Sequence, residues 1–174
     1  MTTEALRPII KSQLHASLAM LKDAIEKCPD ELWLDERFGN RCWQIAYHTV
    51  FYGHLYLHVD VGSVRRWAWH QAKVQHPSGL FNAHAKVDAS LPMFAAPYSR
   101  AQVLDAWGIA DAMVDAAIDG FDLDSPECGF PWYRMGKLEH QFVNIRHIQH
   151  HTGQLMDRLR VAKDVGVPWV GMRH

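Results

Sequence analysis

Residues 135–164 read MGKLEHQFVNIRHIQHHTGQLMDRLRVAKD. Leu138, Phe142, Ile145, Ile148, Leu155 and Leu159 recur at three- and four-residue intervals, the period of one buried helix face. Gly166 and Pro168 lie just beyond and terminate the segment. The same stretch carries His147 and His151, whose four-residue separation sets both imidazoles on one face, one turn apart.

Working outward, the other helices follow from the same period. Leu14, Leu18, Leu21 and Ile25 define a first helix over residues 3–28, stopped by Pro29 and Asp30. A connection over 29–41 ends at Asn40, a favourable N-cap. A second helix is expected over 41–61, with Ile45, His48, Tyr52, Leu55 and Val59 on its buried face. Ser99 and Gln102 form a capping-box pair opening a third helix over 99–119, with Val103, Trp107, Ala110 and Val114 inward and Gly120 as its stop. The tail from 165 onward is short, with Trp169 expected to pack back. Residues 62–98 show no sustained period; a short helix fits around Val64 to Lys73, and a segment of this kind inside a compact domain reads as a lid or binding element. The fold expected is all-α, a single-domain antiparallel four-helix bundle over 1–174 with this partly irregular insertion between helices two and three.

Composition narrows the function. Of 174 residues, 48% are hydrophobic and 21% charged, the balance of a globular chain, and the formal net charge of -1 leaves no electrostatic footprint for nucleic acid. The longest apolar-rich stretch, 42–61, is broken by histidines, Gln44 and Asp60, so no membrane span is expected. No signal-peptide pattern follows Met1. Cys28, Cys42 and Cys128 form no CxxC pair, and their spacing suits a reducing, cytoplasmic setting.

The departure from ordinary composition is histidine, with 12 copies. An H-x3-H pair alone is weak, and His54 and His58 form another, on the side of helix two away from His48. His48 changes the weighing, because a histidine centred on an apolar stripe must satisfy its ring nitrogens somewhere. Two histidines on one helix and one on another favour a shared ion, held by His48, His147 and His151, over a carbonyl-bonded core histidine. A hydrogen-bonded polar core without metal is the remaining alternative. Imidazole suits zinc, nickel or iron, and the spacing does not choose among them. His140, Asn144, Gln154 and Arg158 share the His147 face, as a solvated stripe or as a polar lane toward the ion that orients its ligands. His150 lies on the adjoining side. Trp67, Trp69 and Trp107 read as core, with walling a pocket as the alternative.

Trp43-Gln44-Ile45-Ala46-Tyr47-His48 resembles the helix-two motif of the DinB-like (YfiT-like) metalloenzyme superfamily. His147-Ile148-Gln149-His150-His151-Thr152-Gly153-Gln154-Leu155 resembles its H-x3-H-x-G-Q signature more closely, and Tyr98-Ser99-Arg100 opens a helix in the same manner. The likeness covers most of the chain and is poorest over 62–98; Thr152 stands where the family usually has a small or basic residue. The resemblance implies a four-helix bundle, a divalent metal on His48, His147 and His151, and a homodimer. It also implies thiol-dependent S-transfer from a low-molecular-weight thiol as one activity.

Three protein ligands leave an ion open coordination positions, which is the catalytic pattern rather than the closed structural one. The expected function is therefore a metal-dependent transferase or hydrolase of a small molecule, with His140, Asn144 and Arg158 as candidates to hold an anionic thiol cosubstrate. The alternative is a non-catalytic metal- or ligand-binding stress-response protein.

Overall fold

A computed structural model describes residues 2–71, 74–75 and 96–173. Most of the irregular segment read over 62–98 lies outside the described residues. Among the described residues the chain is all-helical, with helices α1 (Arg7–Lys27), α2 (Asp30–Trp33), α3 (Cys42–Leu55), α4 (Arg100–Gly120) and α5 (Lys137–Lys163). None of these is long and apolar enough to cross a membrane.

Four long helices pack in a closed cycle, α1 against α4 and α5, and α3 against the same two. The stripe Leu14, Leu18, Leu21 and Ile25 of α1 is fully buried, as its spacing requires. On α4, Val103, Ala106, Trp107, Ala110, Val114 and Ile118 face inward. Its start is the expected capping box: Ser99 N–H donates to Gln102 Oε1 at 2.9 Å, and Gln102 N–H donates to Ser99 Oγ at 3.2 Å. Helix α3 differs in being buried on every side but Gln44, the signature of a helix at the centre of the molecule. Segment 64–71 helps to cover it, with Trp67 buried and Trp69 half-buried against Tyr47.

Several boundaries differ from the sequence reading. Helix α3 ends at Leu55 rather than 61, and Val59 is 60% exposed instead of buried. The backbone groups that would have continued it are bonded elsewhere: Val61 N–H donates to the Gly129 carbonyl at 3.2 Å, and the Lys137 ammonium donates to the Val59 carbonyl at 2.6 Å. Gly129 makes this junction possible, since its φ is +87° and a β-carbon there would lie 2.2 Å from the Val59 oxygen. Asn40 is not the N-cap of α3. Arg41 is, its N–H donating to Gln44 Oε1 at 2.8 Å, while the Asn40 carbonyl accepts from Arg158. The connection 29–41 contains the single turn α2, which buries Leu32 and Trp33. Residues 64–71 are turns and extended chain, not helix.

At the far end, Phe142 is 47% exposed because α5 turns that flank outward. Asp164, at φ 52°, takes the left-handed position expected to fall to glycine, and Val165 N–H returns to the Leu159 carbonyl at 3.3 Å. Trp169 does not pack back and is 77% exposed; the tail is tied instead by Gln13 to the Gly171 carbonyl and Lys27 to the Gly166 carbonyl.

Candidate metal centre

Helices α3 and α5 cross where Gly53 lies beside Ile148, and Asn144 Nδ2 donates to the Gly53 carbonyl at 3.2 Å. This close crossing places His48 of α3 opposite His147 and His151 of α5. Ring centroids are 5.0 Å apart for His48–His147, 4.6 Å for His48–His151 and 4.7 Å for His147–His151. The Nε2 atoms of His48 and His147 are 3.0 Å apart. One donor atom from each of the three rings lies within 4.8 Å of the others, so the cluster can hold a metal ion. Two nitrogens about 2.1 Å from one zinc ion can be at most ~4.2 Å apart, and the closest pair falls well inside that span.

Hydrogen bonds decide which nitrogens face inward. His48 Nδ1 is 2.7 Å from the Gln75 carbonyl oxygen, which can only accept, so Nδ1 carries the proton and Nε2 its lone pair. His151 Nδ1 donates to Gln154 Oε1 at 2.8 Å, with the same consequence for its Nε2. The donor chemistry therefore fits a cation: His48 and His151 each spend the Nδ1 proton elsewhere and keep the lone pair on Nε2, and the Nε2 of His147 stands 3.0 Å from that of His48. His147 Nδ1 is buried without a partner. Burial, followed by the neighbouring histidines, holds the His147 pKa well below its ordinary value, and burial lowers that of His151. Both rings are thus neutral near pH 7, the form that ligates.

The surroundings are aromatic. Tyr52 lies 4.9 Å from His48 and 5.7 Å from His147, and Tyr56 lies 6.2 Å from His147, centroid to centroid. On its outer side His147 borders an open groove of about 430 Å³ with Val143, Arg146, Gln149 and the exposed His150. The Gln75 carbonyl arrives on a segment docked by other contacts. Tyr47 Oη is 2.5 Å from His70 Nδ1, Trp67 Nε1 donates to Tyr47 Oη at 3.2 Å, and Gln71 N–H donates to Tyr98 Oη at 2.7 Å.

Compared with known proteins, the chain matches no protein-family model, no curated sequence and no solved structure.

The other residues singled out in the sequence fall in distinct places. His140 and Asn144 line the same flank of α5 and are fully buried. His140 sits in a box of Phe130, Tyr56 and Tyr133 with neither ring nitrogen bonded, and Asn144 Oδ1 likewise has no partner. Arg158 is engaged away from the histidines: Nη1 donates to the Asn40 carbonyl at 2.5 Å, and the guanidinium stacks on Phe38 at 4.3 Å. His54 and His58 are buried beside each other. His58 Nδ1 donates to the His54 carbonyl and His58 Nε2 accepts from Arg65 N–H, so that ring is consumed in holding the chain's turn. Trp107 is core, its Nε1 donating to the Leu18 carbonyl at 2.9 Å. Trp67 is core as well; among the described residues Tyr52 and Tyr56 border the histidines. Gln75 escaped the sequence reading because a main-chain carbonyl leaves no mark in side-chain pattern.

Proposed function

We propose that this chain is a metalloenzyme of the DinB-like kind, a four-helix bundle holding zinc, nickel or iron on His48, His147 and His151. Its activity is transfer or hydrolysis on a small molecule, with a low-molecular-weight thiol as cosubstrate in the transfer case. The observation that carries this reading is the locked orientation of two rings: Gln75 and Gln154 take the Nδ1 protons of His48 and His151, and so present Nε2 from both helices to one point. A hydrogen-bonded polar core would use the same His48 lone pair, accepting from His147 Nε2–H across 3.0 Å, and metal content separates the two readings.

A divalent ion held there supplies Lewis acidity and lowers the pKa of a water or thiol that reaches it. The chain's own residues do the rest. Three neutral protein ligands leave positions for a substrate. Tyr52 and Tyr56 exclude bulk water from the inner side, and the groove beside Arg146 and His150 gives a small molecule its approach to His147. Arg146 lies at the rim of that groove, where it can attract an anionic cosubstrate.

The test is elemental analysis of tag-free protein, followed by a turnover screen pairing thiols with electrophiles. Near-stoichiometric metal is expected in the parent and in His150→Ala, with occupancy reduced at least tenfold in His151→Ala. Equal occupancy in both variants refutes the site. Stoichiometric metal without turnover under any loading, combined with unfolding on chelation, favours a structural ion over an enzyme.

A further inference from the structure

The three rings of the histidine cluster are not held alike. His48 Nδ1 gives its proton to the Gln75 carbonyl at 2.7 Å, and His151 Nδ1 gives its own to Gln154 Oε1 at 2.8 Å. His147 Nδ1 is buried without a partner. At the other end of the same ring, Nε2 stands 3.0 Å from His48 Nε2. The His48 nitrogen offers a lone pair there, because its ring proton is on Nδ1. The contact is therefore a hydrogen bond only when His147 carries its proton on Nε2. That tautomer has no lone pair on Nε2 to give to an ion. Shared coordination by the two Nε2 atoms needs the opposite one, with the His147 proton on Nδ1. A buried N–H of that kind is costly without an acceptor.

Asn144 precedes His147 by three residues on α5, a spacing that sets β-carbons about 5–6 Å apart on one side of a helix. Its side chain is fully buried. Nδ2 donates to the Gly53 carbonyl at 3.2 Å, and since a carbonyl can only accept, that bond fixes which end of the amide is which. The other end, Oδ1, is buried and has no partner. A buried acceptor lacking a donor thus lies one turn from a ring nitrogen that needs an acceptor in one tautomer only. His140 lies one turn the other way with its own unpartnered nitrogens, but only the His147 ring changes its need when a cation is held.

Resting on the metal reading of the cluster, we propose that Asn144 is the positioning residue of His147, its Oδ1 accepting the Nδ1 proton in the tautomer that holds a cation. In metal-free protein the hydrogen bond to His48 keeps the ring in the other tautomer. The exchange leaves the ring neutral throughout: Nε2 releases a proton to water in the groove that His147 borders with Arg146 and His150, and Nδ1 takes one up. Two nitrogens on one tetrahedral zinc ion stand about 3.3 Å apart, so the pair opens by only a few tenths of an ångström from its hydrogen-bonded separation. The imidazole rotates to bring Nδ1 to Oδ1, while Asn144 stays pinned by Gly53. Each of the three rings then has its Nδ1 proton answered by an oxygen: a main-chain carbonyl for His48, and a side-chain amide one turn away on α5 for His147 and for His151.

The experiment titrates tag-free protein carrying isotope-labelled histidine with zinc and follows it by long-range proton–nitrogen correlation spectra, which tell a protonated ring nitrogen from a bare one. His147 is expected to carry its proton on Nε2 before zinc and on Nδ1 at saturation. Asn144→Leu keeps the volume but loses the acceptor, and should bind zinc about 10- to 100-fold more weakly by calorimetry. Asn144→Asp keeps an acceptor, and should bind within about threefold of the parent or more tightly. Both variants lose the bond to the Gly53 carbonyl, so an Asn144 that merely braced the two helices would weaken both alike. Equal losses overturn the proposal, as does zinc bound with the His147 proton still on Nε2; in either case the metal reading of the cluster stands. Unmoved signals from all three histidines at saturating zinc overturn that reading and this inference together. The parent's spectra decide the matter even if a variant fails to fold.

Discussion

Replacing His140 with Phe should remove part of the protein's acid sensitivity at little cost near neutrality. The ring is fully buried, with Phe130 stacked at 4.9 Å, Tyr56 edge-on at 4.6 Å and Tyr133 at 5.4 Å, and neither nitrogen has a partner. Burial first, then the nearby Lys137 ammonium, lowers its pKa from 6.5 to about 4. The unfolded chain takes up this proton near pH 6.5 and the folded one only near pH 4, so between those values the unfolded state binds more protons and stability falls as pH falls. Between pH 7 and pH 5 that linkage amounts to about 2 kcal/mol for this one ring. Phe keeps the ring and its aromatic neighbours but does not titrate. The variant should therefore lose about 2 kcal/mol less than the parent over the same interval. At pH 7 it should be as stable or more so, because an apolar ring replaces unpaired polar atoms. His54, held down to about 4 by burial, contributes its own acid sensitivity equally to both proteins and cancels in the difference. Urea titrations followed by circular dichroism at the two pH values give the comparison directly. Parallel pH dependence would refute the reasoning. A loss above ~2 kcal/mol at pH 7 would do the same, by showing that the ring nitrogens are bonded in solution.

Two further perturbations probe the architecture around the site. Gln154→Leu removes the acceptor at 2.8 Å that holds the His151 Nδ1 proton, and should weaken metal binding by about 10- to 100-fold in a calorimetric titration without lowering the melting temperature of the apoprotein; unchanged affinity would mean the side chain does not orient the ligand. Gly129→Ala places a β-carbon 2.2 Å from the Val59 oxygen at a φ of +87°, and should cost more than ~2 kcal/mol in denaturant unfolding; a neutral effect would show that the junction between α3 and the 121–136 loop relaxes freely.

How far the sequence reaches depends on whether a constraint is periodic. The four long helices were legible because each must bury a stripe, and a stripe repeats every three to four residues. Leu14, Leu18, Leu21 and Ile25 on α1 and the Ser99–Gln102 box on α4 are placed by local rules alone. The misreadings occur where distant chain intervenes. Nothing within 41–61 says that α3 stops at Leu55; the cause is Gly129 and Lys137, some 70 residues on, which claim Val61 N–H and the Val59 carbonyl. The stripe on α5 likewise gave no warning about Phe142, which is 47% exposed.

The histidine cluster shows both sides of this limit. His147 and His151 are adjacent by helical geometry, so their pairing is local and readable. His48 joins them only through the crossing of α3 and α5 at Gly53, and the hint available in sequence was a polar ring in the middle of an apolar stripe, a costly placement unless something answers it. The orientation of the rings lies deeper still. His151 is aimed by Gln154, three residues along its own helix, but His48 is aimed by the main chain of Gln75, delivered by a segment that Tyr47, His70 and Trp67 dock against α3. A carbonyl carries no residue identity, so any of the twenty side chains at position 75 could serve. What the sequence could reveal of that contact is the docking: the aromatic and histidine side chains that hold the segment in place. It follows that the histidine of the cluster most sensitive to changes outside the two helices is His48, and that a substitution at His70 acts on the candidate site through it.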